Sequence, residues 1–296
     1  MSKKNYLAQF AKSFNWAGFF LPKKIYHDCS KLYTFCRVLD DIVDEKTTLG
    51  SRVERFNEIK NIFKKNYELN KNDQKEVNKN DHRVIIIDMI ILADNNNFKP
   101  VILDDLIEGV ESDLKPRVYF RSVKDLLVYS YRVAGTVGLM MAKMLNVNDT
   151  RSLRGAIDLG IAMQLTNIAR DVIEDQKMNR QYIKPDFENI EATLKLADMF
   201  YESSFNSIKK IPFKCRFSII VARRVYRQIG RKIIQKKSME SYEKSGKIYV
   251  NNFGKIYQTI LSLCDFILLF LKEEESHQRK NEHEIISKEV DLDERI

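Results

Sequence analysis

The stretch Gln164-Leu-Thr-Asn-Ile-Ala-Arg-Asp-Val-Ile-Glu-Asp175 constrains this chain more than any other. As a helix it puts Asn167, Asp171 and Asp175 on one stripe, each four-residue step rising about 6 Å and turning only about 40° around the axis. Ile168, Val172 and Ile173 fall on other faces, so the helix is amphipathic and its polar stripe can face a cleft rather than water. Acids do not stay buried without compensation. Oxygen ligands unaccompanied by Cys or His select a hard cation, Mg²⁺ over zinc, with Mn²⁺ as a possible substitute.

Upstream, Tyr33-Thr-Phe-Cys-Arg-Val-Leu-Asp-Asp-Ile-Val-Asp44 repeats the spacing with Asp40 and Asp44, and Asp41 stands beside them. If two such helices face each other across a bundle, their carboxylates hold several divalent ions, and those ions hold a diphosphate. Arg37 lies four residues before Asp41. That pair is either a surface ion pair worth about a few tenths of a kcal/mol or a phosphate ligand beside the acids.

A chain of 296 residues suffices for one large domain. Only five prolines and ten glycines interrupt a sequence rich in Leu, Ile, Lys, Glu and Arg, and few windows alternate as strands do, so the expected class is all-α. Cys29, Cys36, Cys215 and Cys264 show no metal-ligand clustering and read as reduced thiols. The first ten residues lack the apolar core of a signal peptide, which sets the expectation of a cytoplasmic protein. A net charge of +9 suits anionic partners. The basic residues are dispersed and no nucleic-acid-binding motif is present, so no nucleic acid is expected; phosphorylated small molecules and an anionic membrane surface fit.

In chain order, residues 5–20 read as a first helix ending at Leu21-Pro22, and residues 24–44 as a second. Residues 64–82 are polar and nearly core-free, an exposed connection. Residues 84–93 are apolar enough for a strand, but in this helical context a buried helix is expected, followed by a turn at Asn95-Asn-Asn97. A helix over 102–113 and a loop over 115–121 precede a unit at 126–144. Its Ala134, Gly135 and Gly138 lower helix propensity by about 1 kcal/mol per glycine, so they imply either close helix packing or room for an apolar ligand.

After the acid-stripe helix, Arg180 and Tyr182 stand in a segment that is either a polar turn or a flap over a leaving group. Helices are expected over 191–210 and 218–237. The basic residues of the second, Arg223, Arg224, Arg227, Arg231 and Lys232, read mostly as a solvated face, while Tyr226 sits in an apolar row with Ala222 and Ile229. Residues 257–271 fall short of the ~20 needed to span a bilayer and read as a last core helix, with membrane-surface contact as the alternative. Residues 272–296 are dense in charge and read as a disordered tail, leaving 1–271 as the catalytic domain.

The elements Lys12-Ser-Phe14, Leu32-Tyr-x-Phe-Cys-Arg-x-x-Asp-Asp-Ile-x-Asp-Glu45, Val133-Ala-Gly-Thr-Val-Gly138 and Gln164-Leu-x-Asn-Ile-x-Arg-Asp-Val-x-Glu-Asp175 with Asn179-Arg-x-Tyr182 resemble the squalene/phytoene synthase family. Order and spacing match over residues 8–255, and the wording is most like bacterial phytoene-forming members. The resemblance implies a single-domain isoprenoid-synthase helical bundle with a central cavity. It implies condensation of two geranylgeranyl diphosphates, through a cyclopropylcarbinyl diphosphate, to phytoene, the first step of carotenoid biosynthesis.

By the same resemblance Asp40, Asp41, Asp44, Asn167, Asp171 and Asp175 bind Mg²⁺. The catalytic set is Asp40, Asp44, Asp171, Asp175, Tyr129 and Tyr226. Tyr33, Arg37, Gln164, Arg170, Arg180, Tyr182, Lys247 and Ser13 contact substrate. Ala11 departs from the hydroxyl residue that relatives often carry there. No NADPH is expected, and the enzyme is placed peripherally at the inner face of the membrane, where it releases product. The alternatives are a squalene or dehydrosqualene synthase using two farnesyl diphosphates, a class I terpene cyclase, and a non-catalytic helical membrane-associated protein. The context of Arg170 and Tyr182 argues against the cyclase.

Overall fold

The computed structural model describes residues 12–68, 81–272, 277 and 280–296. Ala11, the residues before it and most of the polar connection expected over 64–82 lie outside the described residues. The chain forms α1 (Lys12–Gly18), α2 (Lys23–Asp44), α3 (Leu49–Glu68), α4 (Asp81–Asn95), α5 (Pro100–Glu111), α6 (Val123–Ser130), a π-helical turn (Tyr131–Gly135) and α7 (Thr136–Met144). There follow α8 (Thr150–Lys177), α9 (Phe187–Phe205), α10 (Phe213–Ile234), α11 (Met239–Lys244), α12 (Asn252–Leu271), α13 (Asn281–Ser287) and α14 (Leu292–Arg295). Strand is confined, among the described residues, to β1 (Val118–Tyr119) and β2 (Arg180–Gln181), which pair in parallel where the sequence suggests only a loop.

The 28 residues of α8 make a rod of about 42 Å and the axis of the bundle, packed by α7, α9 and α10. Its start is fixed by Asp149, whose carboxylate accepts from the Ser152 backbone N–H at 3.0 Å. Its end is turned by Asn179, in the left-handed region at φ 58°, which asparagine tolerates and which swings Arg180 and Tyr182 back toward the acids.

The costly glycines are explained by how closely α7 approaches α8. A Cβ on Gly138 would meet the Ala156 carbonyl oxygen at 2.1 Å, and one on Gly160 would meet that of Ala134 at 2.1 Å. Because Ala134, Gly138, Ala156 and Gly160 also line the central cavity, close packing and space for a ligand are here the same device.

Three expectations are corrected. The described part of 272–296 is folded onto the bundle: Ile286, Val290 and Leu292 are buried and Arg295 pairs with Asp105 at 2.9 Å. The His283 Nδ1 accepts from the Lys280 backbone N–H, so its Nε2–H donates to buried Asp158 at 2.8 Å, and His277 donates to the other carboxylate oxygen at 2.7 Å. Burial opposes ionisation of Asp158, but those two hydrogen bonds hold its carboxyl below the usual range.

The basic face of α10 is not mainly solvated. Arg223 is buried and donates to the Tyr201 carbonyl at 3.0 Å, Arg224 pairs with Asp265 at 2.6 Å, and Arg227 pairs with Asp198. Nor is α12 a core helix: it buries Lys255, Gln258 and Ser262 and turns most of its apolar residues outward.

Candidate active site

The central cavity encloses about 270 Å³ between α1, α2, α7, α8 and α10. Apolar side chains such as Phe14, Leu21, Val133, Met141, Leu159, Met163, Ile208 and Ile219 make up most of its wall. Three of its serine hydroxyls are turned away. Ser204 and Ser218 donate to the carbonyls of Tyr201 and Ala17 at 2.8 and 2.9 Å, and Ser152 donates to Asp149 at 2.8 Å. A carbocation in this space would meet hydrocarbon, sulfur and ring faces rather than a loose nucleophile.

One end of the wall carries Tyr33, Gln164 and Asn167, and beyond them the acids of α2 and α8 come together. Arg180 is the hinge pin: Nη1 pairs with Asp44 at 2.7 Å and Nη2 reaches the Val43 carbonyl at 3.4 Å. The charge of Asp44 is felt at Asp175, and that of Asp113 at both Asp40 and Asp175. The two sequence runs thus share one electrostatic site, closed by the β2 segment.

Part of that acid is already neutralised. Arg170 forms a two-point pair with Asp171, through Nε to Oδ1 at 2.8 Å and through Nη2 to Oδ2, while Lys247 Nζ lies 3.0 Å from Oδ1. Burial raises the Asp171 carboxyl, but Arg170 and Lys247 win and hold it below the usual range. Arg37 pairs with Asp41 at 2.6 Å.

Asp40 and Asp175 have no ion-pair partner within 4 Å among the described residues. Asp40 is open to the cleft, yet recession among protein mass, and then Asp44, push its carboxyl up to about 7. Burial, and then Asp171, push Asp175 up to about 8. Asn167 Oδ1 is buried with no hydrogen-bond partner among the described residues. Uncompensated carboxylates and an orphaned amide oxygen on facing helices are the donor set of a hard divalent cation, so the residues fit Mg²⁺.

The tyrosines form a second layer. Tyr129 and Tyr182 donate to the two oxygens of Asp113 at 2.7 and 2.8 Å, their rings stack with centroids 4.8 Å apart, and Phe120 meets both edge-on at 5.3 and 5.1 Å. Burial drives both phenols well above their ordinary range, so they remain protonated donors rather than bases. Tyr33 is pushed up to about 12 by burial against the opposing Arg37. Tyr226 is buried with its ring 4.8 Å from Phe14, within the field of Arg170 and Asp171.

Gln164 accepts from Asn167 at 3.4 Å. Ser13 is half-buried on α1, the helix that walls the cavity through Phe14, Ala17 and Gly18. Sequence reasoning missed Asp113 and Phe120. In the sequence Asp113 is one of five acids between 102 and 113, and nothing sets it apart from the other four.

The squalene/phytoene synthase family model matches residues 7–186, which hold α2, all of α8 and the Arg180/Tyr182 closure. The chain is 34% identical over 256 residues to the 15-cis-phytoene synthase of a Paracoccus species, an alignment covering 80% of this chain and 82% of that one. It is 35% identical over 246 residues to the phytoene synthase of Cereibacter sphaeroides, with 75% and 68% covered. Among solved structures, a dehydrosqualene synthase crystallised with a ligand superposes with TM-score 0.66 at 25% identity, over 87% of this chain and 93% of that one. The squalene synthase of Alicyclobacillus acidocaldarius shares the fold at 15% identity, TM-score 0.64, with 79% and 90% covered. The matched span is thus the one that brings the two acid helices together, and on it the chain belongs to the squalene/phytoene synthase family.

Proposed function

We propose that this prenyltransferase of the phytoene synthase type joins two geranylgeranyl diphosphates head to head into phytoene, with Mg²⁺ as its metal. The observation that carries the chain length is the cavity wall along α8. Asn167 and Ser152 both line it, fifteen residues apart, which is about 22 Å of helix. An extended carbon chain advances about 1.2 Å per bond, so a geranylgeranyl chain of fifteen main-chain bonds spans about 18 Å and a farnesyl chain of eleven about 13 Å. The shorter chain would leave the end formed by Leu145, Val147 and Ile211 empty.

Asp40, Asp44, Asn167, Asp171 and Asp175 would hold Mg²⁺, which when bound neutralises the diphosphate as the allylic carbon–oxygen bond breaks. Arg37, Arg170, Arg180 and Lys247 bring further positive charge to the same end, where a diphosphate binds. The bonding pair leaves with pyrophosphate. The double bond of the second substrate attacks the allyl cation, and loss of a proton closes a cyclopropylcarbinyl diphosphate. A second ionisation, rearrangement and proton loss give phytoene with no hydride, so NADPH is not consumed. Tyr129 and Tyr182, held as donors on Asp113, stay protonated throughout, and the apolar wall excludes water from both cations.

The test is to incubate the purified protein with geranylgeranyl or farnesyl diphosphate and Mg²⁺, with and without NADPH, and identify the hydrocarbon. Phytoene formed from the longer substrate, unchanged by NADPH, is expected. A preference for farnesyl diphosphate, or NADPH-dependent squalene, overturns the reading.

A further inference from the structure

Helix α12 is built inside out. Of its four buried residues, Lys255, Gln258, Ser262 and Leu269, three are polar. Its inward groups are satisfied by α1, α10 and its own backbone: Arg224 pairs with Asp265 and donates to Gln258 at 3.2 Å, Trp16 Nε1 donates to Thr259 at 3.0 Å, and Ser262 donates to the Gln258 carbonyl at 2.8 Å. The opposite side exposes Phe253, Tyr257, Ile260, Leu263, Ile267 and Phe270, a stripe at helical spacing in which every residue is at least half exposed.

The stripe continues onto two other segments. Phe266 packs edge-on against Phe217 at 6.0 Å, and Phe217 against Phe20 at 5.1 Å, beside Phe19, which is 72% exposed. A continuous apolar face assembled from three parts of the chain marks a contact surface.

We propose that this face docks flat on an anionic lipid bilayer, with α12 lying in the plane of one leaflet. Charge supports lipid over a second copy of the chain, whose like charges would meet. The protein carries +9, and its cations border the stripe: Lys209 reaches the Lys272 carbonyl at the end of α12, Arg216 lies 5.9 Å over the Phe270 ring, and Lys232 reaches the Tyr249 carbonyl just before it. The helix is long enough to span, at 20 residues and mean hydropathy 1.5, but it is tied at both ends to one body. Ile248 and Val250 are buried before it, and His283 and Arg295 are fastened to Asp158 and Asp105 after it. A span would also place Lys255, Gln258 and Asp265 in hydrocarbon, cut off from their partners.

The face also abuts the cavity. Ala17 and Gly18 line the cavity while the next residue, Phe19, is exposed; Ser218 and Ile219 line it while Phe217 stands in the aromatic row. Taken with the proposed reaction, a hydrocarbon product would cross one layer of side chains to reach lipid. The docking itself does not depend on the reaction.

The test is co-sedimentation of the protein with vesicles of phosphatidylglycerol and phosphatidylethanolamine, against vesicles of phosphatidylcholine, together with its mass in solution by light scattering. The wild type pellets with the anionic vesicles, less at high salt, and the double variant Ile260→Glu/Ile267→Glu lowers the partition coefficient at least about tenfold. That variant keeps the helical circular dichroism and the turnover of detergent-dispersed substrate. Equal pelleting of wild type and variant, no pelleting of the wild type, or a lipid-free dimer that the variant converts to monomer would each overturn the proposal. Retained pelleting without turnover would count against the catalytic reading alone.

Discussion

Helices α8 and α12 both turn polar residues toward the protein interior, and the difference lies in what each leaves unmet. On α8 the inward groups are short of partners: Asn167 Oδ1 is orphaned and Asp175 is crowded by like charge. On α12 the inward Asp265, Gln258, Thr259 and Ser262 are paired, and it is the outward side that, among the described residues, faces nothing of its own kind. The unmet side names the missing partner, a cation for α8 and an apolar phase for α12.

The largest effect is expected where that contrast is sharpest. Asp40→Asn or Asp171→Asn should lower Mg²⁺-dependent turnover by about a thousandfold with unchanged helical circular dichroism. Undiminished turnover of Asp171→Asn would remove the contrast, since the inward acids of α8 would then be calling for no cation, and undiminished turnover of Asp40→Asn would remove the partner helix α2 from the site. Next comes Asp113→Asn, which keeps the volume but weakens the acceptor that orients Tyr129 and Tyr182. A fall in kcat of about ten- to a hundredfold is expected, by analogy with groups that orient metal ligands, with little change in KM.

The smallest effect is on stability against pH. Asp40 and Asp175, at about 7 and about 8, keep protons in the metal-free fold that the unfolded chain gives up near 4. The folded state binds more protons between those values, so the stability they contribute falls as pH rises through 7 to 8. The Tm of the metal-free wild type should therefore drop more between pH 6 and 8.5 than that of Asp40→Asn/Asp175→Asn, and Mg²⁺ should restore more at pH 8.5. Parallel curves would show that the acids are not crowded.

Spacing alone made the two acid helices legible, because carboxylates four residues apart share a face whatever the tertiary context. It could not say which face is inside. The periodicity of 257–271 is that of a core helix, and it takes tertiary contacts such as that of Arg224 with Asp265, 41 residues apart in the chain, to show the helix reversed. The C-terminal segment was obscured by its charge, since the acids that fasten it, Asp105 and Asp158, lie 190 and 125 residues from Arg295 and His283. Asp113 was hidden for the same reason: its phenol partners stand 16 and 69 residues away.

The shared metal pocket is tested most directly by a crystal soaked with Mn²⁺ and an unreactive thiolodiphosphate, read in an anomalous difference map. Peaks should lie between the two helices, with Asp40 or Asp44 on one side and Asn167, Asp171 or Asp175 on the other. Metal bound to one helix alone, or no metal at either, would contradict a common site.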